Sequence, residues 1–260
     1  MPEVKIAVAL SCLRHPFRKA LHTVANLGAT GIEIDARNDL IPNEISDTGR
    51  RQLRKMLNDL NLSVAAVRFP TRRGYDVPED LERRLDATKQ AMTFAYSLGA
   101  KVVINAVGYI HEEPQHPSLT QLTASLCDLA RYGDRVGAVL ACETGSEPTR
   151  RLADFLGTLE LGSIGIHFNP ANLILSDCYE ASSIRNCAQW VRSVTVRDAV
   201  RDPAKRRGIE VEIGRGSAEF PEILVVLEEQ NYTGWFTIDR PPSANVLPEI
   251  ANAISYLNAF

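Results

Sequence analysis

The sequence has no CxxC pair, no long apolar run and no excess of positive charge, and each absence removes a class of protein. Its five cysteines (Cys12, Cys127, Cys142, Cys178 and Cys187) are odd in number and widely spaced. That argues against a disulfide framework and for reduced thiols in a cytoplasmic setting. No apolar run approaches the ~20 residues of a membrane-spanning helix. The opening MPEVKIAVALSCLRHPF lacks a small-residue cleavage site and reads as a first strand rather than a signal peptide. With 29 Lys+Arg against 32 Asp+Glu, a globally basic nucleic-acid binder is not expected. No GxGxxG follows the first strand, no GxSxG elbow occurs, and GRGS lacks the Lys-Ser/Thr ending of a P-loop. What is present is ordinary: 260 residues, 45% hydrophobic and 23% charged, enough to bury a core without staples.

Short Val- and Ile-rich runs alternate with amphipathic runs of helical length. The strand candidates are Val4–Leu10, Gly31–Ala36, Leu62–Phe69, Lys101–Val107, Ala138–Thr144, Ser163–Asn169, Val191–Arg197 and Gly234–Asp239. They lack the apolar/polar alternation of one-sided sheets, so they suit strands buried on both faces. Helices are expected near 16–27, 48–60, 78–98, 118–135, 149–157, 180–188, 219–230 and 244–257. A glycine step ends several of them: NLGATGIEI, SLGAKVVI, RVGAVLAC and YTGWFTI. Strict alternation over this length predicts an α/β fold, a (β/α)8 TIM barrel with a single domain spanning 1–260; a doubly wound sheet is the runner-up. Helix-to-strand connections are short. Three strand-to-helix connections are long: PTRRGYDVP, GYIHEEPQHP and AVRDPAKRRGIEVEIGRGS. Long loops at the C-terminal ends of barrel strands build the working face.

Polar residues crowd those strand ends. Side chains at i and i+2 share a face. Glu33 and Asp35 end the second candidate strand, Asn105 the fourth, Glu143 the fifth, His167 and Asn169 the sixth, Thr195 and Arg197 the seventh, Thr237 and Asp239 the eighth. Facing carboxylates such as Glu143 and Asp239 are tolerated when a cation or shared proton lies between them, as in acid/base pairs. Arg197 has two readings, an electrophile beside a substrate carbonyl or a salt bridge with Asp198. His167 also has two, a neutral hydrogen-bonded core residue or a ligand. Arg72, Arg73 and Arg215 in the long loops suit an anionic sugar or sugar acid. Lys205, Arg206 and Arg207 suit a solvated lid equally well. Tyr75 and Tyr109 either wall a sugar ring or pack a loop. Cys142 is expected to face the helices.

ACETG, IGIHFNPANL, VTVRDAV, EIGRGSAEFPEIL and GWFTIDR, with KIAVALSCL, LGATGIEID and LRKMLNDLNLSVAAV before them, resemble the xylose isomerase-like TIM barrels. These include sugar (phosphate) isomerases and epimerases and share their fold with an abasic-site endonuclease. The resemblance implies one divalent metal, held by Glu, Asp, His and Glu after the last four strands. The matching positions here are Glu143, Asn169, Thr195 and Asp239, of which only Glu143 agrees in identity. Such a donor set, lacking an imidazole, suits Mg or Ca held weakly, or no metal, where the resemblance implies Mg or Mn. The endonuclease chemistry needs a His-rich three-metal cluster, whereas this chain has five His, and Asn172 and Thr195 stand at ligand positions. The resemblance therefore implies an isomerase or epimerase moving a proton next to a carbonyl of a small sugar-like substrate. Glu143 and Asp239 would be the acid/base pair and Arg197 the electrophile. Glu33, Asp35, Asn105, His167, Arg72 and Arg215 would bind substrate. Dimers or tetramers are common in such families; no nucleic-acid or membrane partner is expected. The competing expectation is a catalytically inactive barrel that binds carbohydrate or a protein partner.

Overall fold

The apolar and amphipathic runs become strands and helices in the expected order. The computed structural model describes residues 4–159, 162–202 and 207–260, with side chains from 208 onward in the last of these segments. The elements are β1 (Lys5–Ala9), α1 (Phe17–Asn26), β2 (Gly31–Asp35), α2 (Asp47–Asp59), β3 (Ser63–Arg68), α3 (Leu81–Ser97), β4 (Val102–Asn105) and α4 (Pro117–Val136). They continue with β5 (Val139–Glu143), α5 (Thr149–Thr158), β6 (Ile164–Phe168), α6 (Pro170–Leu175), α7 (Ser183–Cys187), β7 (Val191–Val196), β8 (Asp198–Asp202), β9 (Arg207–Val211), α8 (Phe220–Glu229), β10 (Trp235–Ile238) and α9 (Val246–Leu257). The strands close in the order β1-β10-β7-β6-β5-β4-β3-β2, every neighbour parallel, which is a (β/α)8 barrel. Among the described residues no helix is long and apolar enough to cross a membrane.

Helix ends follow local chemistry. Ser46 caps α2 by accepting a hydrogen bond from the Gly49 N–H, with Asp47 in the first turn. Pro117 opens α4, and Gly137 closes it in the left-handed region at φ +85°. Gly28 and Gly99 have the same left-handed geometry, but the fourth glycine step, YTGWFTI, differs. Asn231 takes the left-handed position before β10, and Gly234 does not.

Two elements depart from expectation. The 19-residue stretch read as a loop after β7 carries, with Asp198 just before it, the antiparallel hairpin β8–β9, paired from Asp198↔Val211 to Asp202↔Arg207. Its alternating Ile209-Glu210-Val211-Glu212-Ile213 is a period-two signal. Lys205 and Arg206 lie outside the described residues, as does the side chain of Arg207. The helix α6 begins directly after β6, where Asn169 caps it and Pro170 occupies the first turn.

The strands present different chemistry on their two faces. Outward residues such as Ile6, Val8, Ile32, Ile34, Val67, Val103, Leu140, Cys142, Ile166, Phe168, Val194 and Ile238 are buried in the main core with the helices. Inward, Ala66, Val102, Ile104 and Ala141 form a separate small cluster that fills part of the barrel. Above it the inner positions turn polar.

Candidate active site

Arg68 ends β3 on the same face as Ala66, so its guanidinium enters the barrel mouth above the small apolar plug. Its Nε donates to Glu33 Oε1 at 2.7 Å, Nη1 to Glu143 Oε2 at 3.0 Å, and Nη2 lies 3.3 Å from His167 Nε2. One rigid fork thus ties together three strands, β2, β5 and β6. Sequence reasoning missed Arg68. Its signal was a lone arginine at the C-terminal end of the apolar run SVAAVRF, in phase with an inward alanine.

The carboxylates differ in environment. Burial pushes the Glu33 carboxyl above its ordinary range, despite Arg68, and Asp239 and Glu143 add to the rise. Its Oε2 has no hydrogen-bond partner among the described residues. Burial acts the same way on Glu143, but Arg68 and the donated hydrogen bonds outweigh it, and the carboxyl sits below its ordinary value. Asn169 Nδ2 donates to Glu143 Oε1 at 3.1 Å and Asn172 Nδ2 at 3.4 Å.

His167 is fully buried, with Nδ1 2.6 Å from Ser193 Oγ and Nε2 2.5 Å from Thr195 Oγ1. Because Arg68 can only donate, Nε2 accepts; the proton belongs on Nδ1, and Thr195 points its own proton at Nε2. Burial, then Arg68, lower the imidazole pKa to about 3, so the ring is neutral. The structure therefore favours the hydrogen-bonded core reading of His167 over the ligand reading.

Asp239 follows β10 across the mouth. Arg197 Nη1 donates to its Oδ2 at 3.4 Å, and Cys12 Sγ lies 3.4 Å from its Oδ1. Burial, then the Asp239 charge, raise the Cys12 thiol well above its usual value, so it stays protonated and donates. Arg197 Nη2 pairs with Glu210 of the hairpin. The expected alternative partner, Asp198, is not used. Its carboxylate instead accepts from the backbone N–H groups of Ala199, Gly214, Gly216 and Ala218 at 2.8–3.0 Å. Asp198 thus fixes the loop into α8, while Arg197 links the hairpin to the mouth. Neither Cys12 nor Glu210 was singled out from the sequence.

Several expected binding residues do other things. Asn105 shares the outward face with Val103, not the inner face with Ile104. Its amide is spent on Tyr75 Oη at 2.7 Å and Thr71 Oγ1 at 3.1 Å. Tyr75 is buried and also bonds Thr88, so it packs the loop after β3, whereas Tyr109 is exposed. Asp35 folds the loop after β2 by accepting from Arg37 N, Asn38 N and Asn38 Nδ2. Arg72 is exposed, and Arg215 is exposed and paired with Glu212 at 3.3 Å. Among the described residues neither bonds the carboxylate cluster. Cys142 is buried on the outward face, as expected.

The donor set fits a divalent metal poorly. Asn169 Oδ1 accepts from the Asn172 N–H, so the amide turns its NH2, not its oxygen, towards Glu143. Thr195 is bonded to His167, and Glu143 accepts from Arg68, Asn169 and Asn172. No group of three or more His, Cys, Asp or Glu suited to a metal occurs among the described residues.

Residues 21–259 match the family model described as xylose isomerase-like TIM barrel. The chain belongs to that family. A curated relative, inosose dehydratase from Clostridium botulinum (strain Eklund 17B / Type B), is 20% identical across 92% of this chain and 86% of its own. Among solved structures, a xylose isomerase domain protein from Planctomyces limnophilus superposes with a TM-score of 0.86 at 22% identity, covering 99% and 97% of the two chains. A xylose isomerase-like TIM barrel protein from Mycobacterium smegmatis in complex with magnesium gives 0.79 at 17%, covering 98% and 96%. A D-psicose 3-epimerase with D-tagatose from Clostridium cellulolyticum H10 gives 0.79 at 13%, covering 98% and 99%.

Proposed function

We propose that this family member moves a proton on and off a carbon next to a carbonyl of a small keto-sugar or keto-polyol, as an isomerase or epimerase does. The observation that carries the reading is the pairing of two partly accessible carboxylates with two guanidiniums at one mouth. Side-chain exposure is 14% for Glu143 and 22% for Asp239, while Glu33 is only 3% exposed. Asp239 is the less tightly held of the accessible pair and acts as the base. Glu143, on the opposite side of the mouth, exchanges the proton at the other end of the reaction. Arg197 and Arg68 face the developing enediolate oxygens, where fixed positive charge lowers the barrier. Epimerisation next to a carbonyl and dehydration of a keto-polyol share this first step, which makes the named relatives mutually consistent as guides. The substrate is small, sugar-like and compatible with two cationic side chains, and thus with oxyanion or acid character.

The test is deuterium exchange. The protein is incubated in D2O with D-tagatose, D-psicose and an inosose, and the carbon next to the carbonyl is followed by NMR. Exchange is expected with at least one of them, and Asp239→Asn should slow it by about 10²–10⁴-fold with the fold retained. Exchange at the wild-type rate in that variant removes Asp239 from the mechanism. No exchange with any of these substrates, together with measurable sugar binding, points to the competing reading of a carbohydrate-binding barrel.

A further inference from the structure

We propose that the guanidinium of Arg68 is a built-in replacement for the divalent cation of the fold family, so that this site works on protein charge alone. The inference rests on the site assignment above but not on the reaction proposed for it.

Glu33, Glu143 and Asp239 gather at one mouth, and Glu33 and Glu143 are held there with little water. Carboxylates so placed demand a cation between them. In this chain Arg68 meets that demand with two direct contacts, to Glu33 at 2.7 Å and Glu143 at 3.0 Å. The remaining family positions have changed in the matching sense. Asn169 turns a donor towards Glu143, and Thr195, where the family has an imidazole ligand, is bonded to His167 instead. His167 in turn accepts from Arg68 and so is arranged around a guanidinium. Arg68, Asn169, Thr195 and His167 thus agree on a fixed organic cation. A metal ion placed where Arg68 meets Glu143 Oε2 would face the guanidinium charge at contact distance, which disfavours its binding.

Removing the arginine should reverse the replacement. Arg68→Ala frees the Glu33 and Glu143 carboxylate oxygens and the His167 Nε2 lone pair around one opening, two anionic oxygen donors and an imidazole that a divalent cation can take. Arg68→Lys keeps a cation there.

The experiment uses the full chain and Mn2+ as the probe, with bound ion counted by electron paramagnetic resonance and folding followed by thermal melts. Wild type is expected to bind no Mn2+ in stoichiometric amount and to melt at the same temperature with or without EDTA. Arg68→Ala is expected to take up about one Mn2+ per chain and to melt higher with Mn2+ than with EDTA. Arg68→Lys should behave as wild type. Should Arg68→Ala fail to fold alone, refolding in Mn2+ must recover it. Stoichiometric Mn2+ on the wild type overturns the proposal, as does an Arg68→Ala chain that ignores Mn2+ in both formats. These readouts involve no turnover, so they stand or fall apart from the deuterium exchange.

Discussion

The two faces of the same eight strands obey opposite rules. The outward face is a continuous layer of Val, Ile, Leu and Phe packed on the helices. The inward face pairs small residues, among them Ala66 and Ala141, with Glu33, Arg68, Glu143, His167, Thr195 and Thr237. The outer layer holds through non-directional burial, so one apolar residue can stand in for another of similar volume. The inner ring holds through directional bonds among buried charges, where each member fixes the next. Stability therefore resides mainly in the first, and the candidate site in the second.

Breaking the outer layer should give the largest stability effect. Phe168→Ala, a fully buried outward residue on β6, is expected to cost about 3–5 kcal/mol in urea unfolding. A much smaller loss would show that β6 is not part of that core.

Acid should act on the inner ring. The folded pKa of His167, about 3, lies below its ordinary 6.5. The unfolded chain therefore binds the extra proton first, and the stability this group contributes is lost as pH falls through that window. Glu33, raised in the fold, works with the opposite sign. Unfolding free energies from urea melts across the same pH range should fall less steeply in His167→Asn than in wild type, by up to a few kcal/mol at the acid end. Parallel slopes would contradict the neutral, buried imidazole.

Asn105 sharpens the contrast because it is polar yet outward. Asn105→Ala should cost about 1–3 kcal/mol by stripping partners from Tyr75 and Thr71 while leaving deuterium exchange unchanged. A selective loss of exchange at unchanged stability would return it to the site. The smallest effect belongs to Arg215→Ala, within about 0.5 kcal/mol, since its exposed pair with Glu212 is screened by solvent. A substantial fall in sugar affinity in that variant would reinstate the expected anion contact.

Strand order, helix placement and the end at which polar groups collect were legible because each rests on local chemistry. Apolar runs of strand length, amphipathic helices and left-handed glycines at 28, 99 and 137 all act over a few residues. The hairpin β8–β9 and the short helix α6 carried local signals too, in IEVEI and NPAN, but both were overshadowed by the strand endings beside them. Glu143, Asp239 and Arg197 were singled out as strand-end residues; Arg197 and Asp239 pair with each other, while Glu143 meets Arg68. Asn105 and Asp35 matched the same pattern and serve loops instead, because strand parity is blind to which face a loop will claim. Arg68, Cys12 and Glu210 stayed hidden, since nothing within a few residues of them shows the carboxylate or guanidinium each one meets.

By itself, then, the order of residues determined a closed barrel and the end at which polar groups collect. Only the tertiary structure decided how their charges are balanced: Arg68 between Glu33 and Glu143, and Arg197 between Asp239 and Glu210. The physical reason is range. Backbone preference and burial pattern are set by near neighbours along the chain, whereas Arg68 and Glu143 are 75 residues apart in sequence and meet only once the barrel has closed.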